Sequence, residues 1–357
     1  MLSRCLNVCM FARRCSALLG LLTLALPLWA QRELGPVTVG AGLQTSFVHN
    51  SPRGSDSTEQ LNLNSIRLYV NGPVTEQIKF MVNTEYDGAN RIGVLDAVAR
   101  IEMSPKFNIW AGRFLPPSDR ANLYGPYYSH HWAIYSDGVQ DGYPFVATGR
   151  DNGVAYWGDF GKVKVSGGGF DGATATGHPN VIGAGRVQVD LWDKEPGYYL
   201  NGTYYGGKNL LAIGAAFQAQ SVNSVTNKAS SLDFLLERKL PDNSVITIES
   251  EVANYDKLGG YDSHYTSNKG AYVLASYLFP KPVGPGKFEI LGKYAKARFS
   301  RGLLSTDTNY NQKTTEVNFN YVIKEFNARV MSFYKNTKFT SVKTNGWQAG
   351  VGLQIQM

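Results

Sequence analysis

The sequence predicts an all-β fold: a transmembrane antiparallel β-barrel of about 16–18 strands with one long inward-folding loop. Three observations predict it. Segments of 9 to 12 residues alternate apolar and polar side chains and recur along the chain. They are longer than the usual five or six residues of a strand and suit a tilted membrane crossing. One stretch, Phe114–Arg150, runs for 37 residues without a sustained period of 2 or 3.6. A compact soluble domain rarely carries such a connection, whereas a barrel lumen can house it. Finally, the chain ends on its clearest alternation. Trp347, Ala349, Val351, Leu353, Ile355 and Met357 share one face, with Gln348, Gln354 and Gln356 on the other, as suits a strand that closes a barrel and removes its edges.

Residues 1–30 read as a cleaved signal peptide. Arg13 and Arg14 precede an apolar stretch ending in Ala30, with a cleavage site before Gln31. That stretch is shorter than the ~20 apolar residues a membrane helix needs. Met10 is an alternative start, and the residues around Arg13-Arg14 do not extend them to a twin-arginine signal. Cys5, Cys9 and Cys15, the three cysteines of the chain, all fall in this segment. The mature domain, 31–357, therefore has no disulfide framework and no thiolate metal site. Cleavage removes Arg4, Arg13 and Arg14 and takes the formal charge from +7 to +4. This mild, dispersed excess excludes a nucleic-acid surface. At roughly twenty residues per strand and connection, the mature length fits a single barrel.

Taken in order, Val37 to Phe47 forms the first strand, with Thr38, Gln44 and Ser46 on its polar face. Asn50–Glu59 is a polar loop. Leu61–Val70 is a strand whose apolar phase slips between Leu63 and Ile66, which predicts a bulge. After Asn71-Gly-Pro come strands over 78–87, 95–103 and 107–113. Beyond Phe114–Arg150, Gly153–Trp157 and Lys162–Phe170 form a hairpin around Asp159-Phe-Gly. Further strands are placed at 184–192, 197–205, 209–219, 230–238, 244–254, 270–279, 287–298, 314–323, 326–335 and 346–357. The count is 17, whereas a single-chain barrel needs an even number. The error is placed between about residues 114 and 190. Short turns at Lys239–Ser244, 280–286 and Lys324-Glu325 alternate with longer polar loops, the rhythm of periplasmic turns opposite outer loops.

Several stretches together resemble the phosphate-selective porin O/P family of Gram-negative outer-membrane porins. They are Ile66-Arg-Leu-Tyr-Val-Asn-Gly72 with Glu85-Tyr-Asp87, Leu95-Asp-Ala-Val-Ala99, Ala111-Gly-Arg-Phe-Leu-Pro-Pro117, Asp151-Asn-Gly-Val-Ala-Tyr-Trp157 and Gly169-Phe-Asp-Gly172. The match is densest over 60–172 and thins toward the C-terminus. It implies a bacterial outer-membrane, water-filled barrel, usually a homotrimer, passing small anions without catalysis and without a cofactor. The partners expected are small hydrophilic solutes or anions, outer-membrane lipid and the barrel-assembly machinery. Two departures stand out. The long loop has Arg120 and Arg150, three acids (Asp119, Asp137, Asp141) and no lysine, which withholds support for phosphate selectivity. The chain also ends in Met357, where such chains usually end in Phe.

With Phe114–Arg150 as the constriction loop, ion preference is set by charges in a narrow, partly desolvated passage. The candidates are the cations Arg67, Lys79, Arg100, Arg113, Arg120 and Arg150, with Glu85, Asp96 and Asp119 facing them. Most positions of this kind are ordinary solvated lumen charges; Arg113 and Arg120 flank the loop's start. His130-His131 is not a metal pair on its own, because adjacent residues of an extended chain point apart and no acid or cysteine cluster accompanies them. It reads instead as loop packing with Tyr127, Tyr128 and Trp132. The main alternative is a phospholipase-like barrel enzyme, which needs a Ser–His–Asn type group on an outer strand face. All five histidines fall in predicted loops, which tells against it. A non-transporting adhesion or structural barrel would need longer outer loops.

Overall fold

The computed structural model describes residues 36–357 apart from 87–90, 133, 135, 140–148, 173–179, 223, 257–264, 302–308 and 341–344. The expected signal segment, and Asp141, His178 and His264, lie outside the described residues. Sixteen strands form the barrel. The first eight are β1 (Thr38–Pro52), β2 (Thr58–Pro73), β3 (Ile78–Tyr86), β4 (Ile92–Ser104), β5 (Phe107–Phe114), β6 (Asp151–Asp159), β7 (Val163–Phe170) and β8 (Ile182–Asp190). They are followed by β9 (Leu210–Val222), β10 (Val225–Lys239), β11 (Val245–Asp256), β12 (Tyr265–Leu278), β13 (Lys287–Arg301), β14 (Tyr310–Lys324), β15 (Ala328–Phe339) and β16 (Gly346–Gln356). Each strand pairs antiparallel with its sequence neighbours, and β1 pairs with β16 from Gly42↔Gln356 to Pro52↔Gly346. The sheet closes and no edge is left.

Alternation explains the wall. In β14, Gln312, Thr314, Glu316, Asn318 and Asn320 are buried toward the lumen, while Val317 and Phe319 are exposed on the outside. β16 does the same, with Gln354 and Gln356 inside and Val351 and Ile355 outside. A water-soluble sheet would bury the apolar set; here that set forms the outer band that lipid covers. Aromatic pairs mark its margin near the short turns, with Phe107 against Tyr156 and Tyr277 against Phe279. Near the opposite margin, Trp347 stacks with His49 at 5.0 Å and packs on Tyr334. His49 thus lies within β1, which runs past the predicted loop start, and the expectation that every histidine sits in a loop is corrected there. The phase slip in β2 is a bulge: Ser65 faces Gln44 and Leu63 faces Thr45, leaving Asn64 unpaired.

The surplus strand is 197–205, just beyond the window in which the sequence placed the error. Its residues alternate well enough to suggest a strand, but their partners are inside the barrel. Tyr198 and Leu200 are buried with Trp110, Phe114, Leu115 and Leu123. The Leu200 amide donates to the Leu123 carbonyl (3.4 Å) and Gly202 to that of Tyr128 (2.9 Å). The competing burial site, invisible to periodicity, decided against the sheet. With this segment removed the parity closes. β1 starts and β16 ends at one end of the barrel. The described part of the 115–150 loop enters the lumen from the other end and 191–209 from the end with the chain termini.

Candidate functional site

Two segments meet inside the lumen. Loop 115–150 begins with Pro116 and Pro117, which cannot donate to a ladder and so end β5. Asp119 then caps a one-turn helix, α1 (Arg120–Tyr124), by accepting the Asn122 amide at 2.8 Å. From there the loop crosses to the far wall. Gln218 of β9 donates to the Pro117 carbonyl (3.0 Å), and Tyr124 donates to Glu249 of β11 (2.8 Å). Arg329 of β15 donates to the carbonyls of Ser129 (2.7 Å) and Tyr127 (3.1 Å), and Gln354 of β16 to that of Tyr127 (2.9 Å). Two inward glycines make this approach possible. A Cβ on Gly42 would meet the Tyr127 ring at 2.7 Å, and one on Gly352 would meet Trp132 at 2.5 Å.

Arg120 is the centre of the fixation. It is fully buried, and its guanidinium binds both oxygens of Glu195, in the 191–209 segment, and the Asn201 carbonyl (3.2 Å). Its Nε lies 3.7 Å from Asp233 on β10, and Arg186 of β8 holds that same carboxylate at 2.5 and 2.8 Å. Two guanidiniums between two carboxylates offset much of the desolvation that each charge incurs. Burial alone would raise Glu195, but the Arg120 charge and hydrogen bond bring it below the usual carboxylate range. Asp119 lacks such a close cation, and burial pushes it up to about 6 despite its cap hydrogen bonds.

His130 and His131 diverge, as their adjacency requires. His130 Nε2 meets Glu289 of β13 at 2.6 Å and Ser276 of β12 at 3.2 Å. Burial lowers its affinity for a proton, but the Glu289 charge and hydrogen bond, with the charges of Glu237 and Glu249, together outweigh burial and raise it. His131 Nε2 faces Lys293 at 3.1 Å, and Lys293 is ion-paired with Asp137 at 2.5 Å. Burial, reinforced by Lys293, holds His131 well below its ordinary value. Among the described residues no group of three or more His, Cys, Asp or Glu side chains is arranged to hold a metal.

The residues singled out from the sequence fall into three places, with Arg113 apart from them. Arg67, Asp96 and Arg150 line one cavity of about 440 Å³, left between the loop and β2–β4. Arg67 pairs with Glu85 and lies 4.4 Å over the Tyr127 ring. Arg150 reaches Asp96 at 3.3 Å, and Asp96 also accepts from Asn83 at 2.8 Å. Asp119 and Arg120 sit against the β8–β10 wall. Lys79 and Arg100 lie close to the short turns, where both meet Glu102 (2.7 and 3.8 Å), with Arg100 over Trp110. Arg113 on β5 is half-buried, in register between Ala97 and Asn152.

Sequence reasoning missed the far wall: Arg186, Asp233, Glu249, Glu289, Lys293 and Arg329. Each stands at a buried, inward position of its strand. That alternation was readable, but their nearness to the loop comes from barrel closure.

No protein-family profile matches the chain, and no curated protein matches it. Solved structures do. The chain is similar to an anion-selective porin from Comamonas acidovorans (TM-score 0.61, 14% identity, covering 90% of this chain and 99% of that one). It is also similar to a complex of Salmonella typhi OmpF with daunomycin (0.59, 12%, 90% and 97%). A third is the trimer form of OmpT, an outer membrane protein of Vibrio cholerae (0.57, 13%, 90% and 100%). At these identities the likeness establishes the fold, the closed barrel of outer-membrane porins. It does not single out the phosphate-selective family.

Proposed function

We propose that this chain is an outer-membrane porin, a water-filled channel for passive diffusion of small hydrophilic solutes. The observation that carries the reading is a closed barrel, apolar outside and polar inside, whose lumen is crossed by a fixed loop that leaves a polar cavity along one wall. Solutes pass beside the loop, so its position sets the size limit. The ion preference is anionic but slight: Arg67 and Arg150 line the cavity against Asp96, and Glu85 offsets Arg67. The resemblance to phosphate-selective porins is kept as a weaker element of the proposal, because the described loop cations are already paired with acids. The trimer belongs to the same proposal, supported by the Vibrio cholerae protein's trimer form, as does export through residues 1–30.

Among the described residues, the cluster of Ser276, His130 and Glu289 bears on the enzyme alternative. A relay needs the serine on one imidazole nitrogen and the acid on the other. Here both sit at Nε2, and the group is buried in the lumen, away from the lipid face. That geometry favours the channel.

The test is reversal potential in a planar bilayer across a salt gradient, with and without phosphate. Stable conductance steps with a small anion-signed potential are expected. Folded protein that gives no steps removes the porin reading.

A further inference from the structure

The cavity beside the loop is lined unlike an ion filter. Five tyrosines contribute to it, Tyr69, Tyr124, Tyr128, Tyr199 and Tyr204. Tyr128 is 37% exposed, whereas its loop neighbours Tyr124 and Tyr127 are buried. An aromatic ring left open inside a lumen offers an apolar surface with a polar rim. The charges around it are compensated in pairs, Arg67 with Glu85 and Arg150 with Asp96. The pairing leaves neither guanidinium uncompensated for a bare ion, and it places fixed donors beside fixed acceptors.

Polar side chains frame the same space. Asn83 is 8% exposed and gives its amide hydrogen to Asp96, while its Oδ1 has no partner among the described residues. Tyr69 and Tyr199 also line it, the Tyr69 hydroxyl beside Arg67 and the Tyr199 hydroxyl beside the Leu115 amide. Burial keeps the Tyr199 phenol protonated and therefore a donor. The volume of about 440 Å³ lies within the roughly 300–1,000 Å³ typical of small-molecule sites.

A neutral polyhydroxylated solute matches each of these features. Its hydroxyls donate and accept at once, which suits paired guanidinium and carboxylate groups. Its C–H faces pack on aromatic rings. A phosphate matches poorly, because it needs cations that are not already neutralised. We propose that this cavity is a binding subsite for a short neutral oligosaccharide that the channel conducts. The proposal rests on the channel reading and names its solute class.

The experiment uses the mature protein folded in detergent, with heat-modifiable gel migration as the check on folding. Bilayer current is recorded during titration with maltotriose, and with phosphate in parallel. Calorimetric titration of the same sample with maltotriose reads binding without conduction. Saturable block with a half-blocking concentration in the millimolar range is expected. Removing the open ring with Tyr128→Ala raises that concentration about five- to tenfold, and Tyr128→Phe, which keeps the ring, restores it. Conductance without block or heat of binding, equal block in Tyr128→Ala, or block by phosphate alone each overturns the subsite and leaves the channel standing. A heat of binding in folded protein that gives no conductance overturns the channel and keeps the site.

Discussion

Arg120→Ala should unlatch the loop without opening the barrel. The wild-type guanidinium binds both Glu195 oxygens and the Asn201 carbonyl and faces Asp233. After truncation Asp233 still has Arg186. Glu195, with no exposure to solvent, keeps only neutral partners at hydrogen-bond distance, Gln188 (2.7 Å) and Tyr204 (3.0 Å). Breaking a buried pair from one side costs about 3–5 kcal/mol. Water entering from the lumen brings the figure to the low end of that range. Even so, the loop-detached population rises by roughly two orders of magnitude. The assay is the single-channel conductance distribution: Arg120→Ala should show a larger, noisier open level and faster protease nicking within 115–150. Heat-modifiable migration should not change, since all sixteen strands remain. Combining Arg120→Met with Glu195→Gln removes both charges and should recover most of the quiet level. If the single variant conducts like wild type and resists protease equally, the latch holds nothing and the reasoning fails.

Three further perturbations probe other links. Gly352→Val places carbon where Trp132 now sits, 2.5 Å from the ring; it should displace the loop tip and raise conductance, and unchanged current would show that Trp132 does not anchor the loop. Val351→Arg puts a charge at the middle of β16 on the lipid face, where Val351 is 49% exposed. It should cost about 2–4 kcal/mol in urea unfolding from bilayers, whereas the same measurement on a soluble-sandwich fold would show little effect. His131 concerns pH. Its proton affinity is depressed in the folded loop, so the unfolded or detached state binds more protons. Its contribution is therefore constant above the unfolded value near 6.5. Below that it weakens the loop by about 1.4 kcal/mol per pH unit until the folded value is reached. Asp119, raised to about 6, acts with the opposite sign, favouring the folded loop as pH falls from 6 toward 4. The difference between wild type and His131→Asn isolates the histidine: wild type should gain more open-level noise between pH 6.5 and 5, and parallel curves would rule that role out.

Periodicity was the reliable guide wherever one face met lipid and the other water. β16, β1 and the β6–β7 hairpin lie where alternation put them, and even the bulge at Asn64 was written as a phase slip. It failed at 197–205, where tyrosines and a leucine alternate for a different reason, the occupation of a cluster around Trp110 inside the barrel. Of the charges singled out, Arg67, Asp96 and Arg150 come together in one cavity, while Arg120 pairs with Glu195 from a segment read as strand. Sequence separation carries no information about which wall a loop will reach once the sheet has curled through a full turn.

What the chain's order of residues determined alone is the wall: a two-residue period sorts side chains into lipid-facing and lumen-facing sets, and that sorting needs no partner to be recognised. What only the tertiary structure decided is the interior. Closure of β1 on β16 brings the far strands opposite the loop. There, Arg186, Asp233, Glu289, Lys293 and Arg329 meet side chains and carbonyls they could not be paired with in sequence. Burial of charge then demands a counter-charge at a few ångströms, and only three-dimensional proximity supplies it.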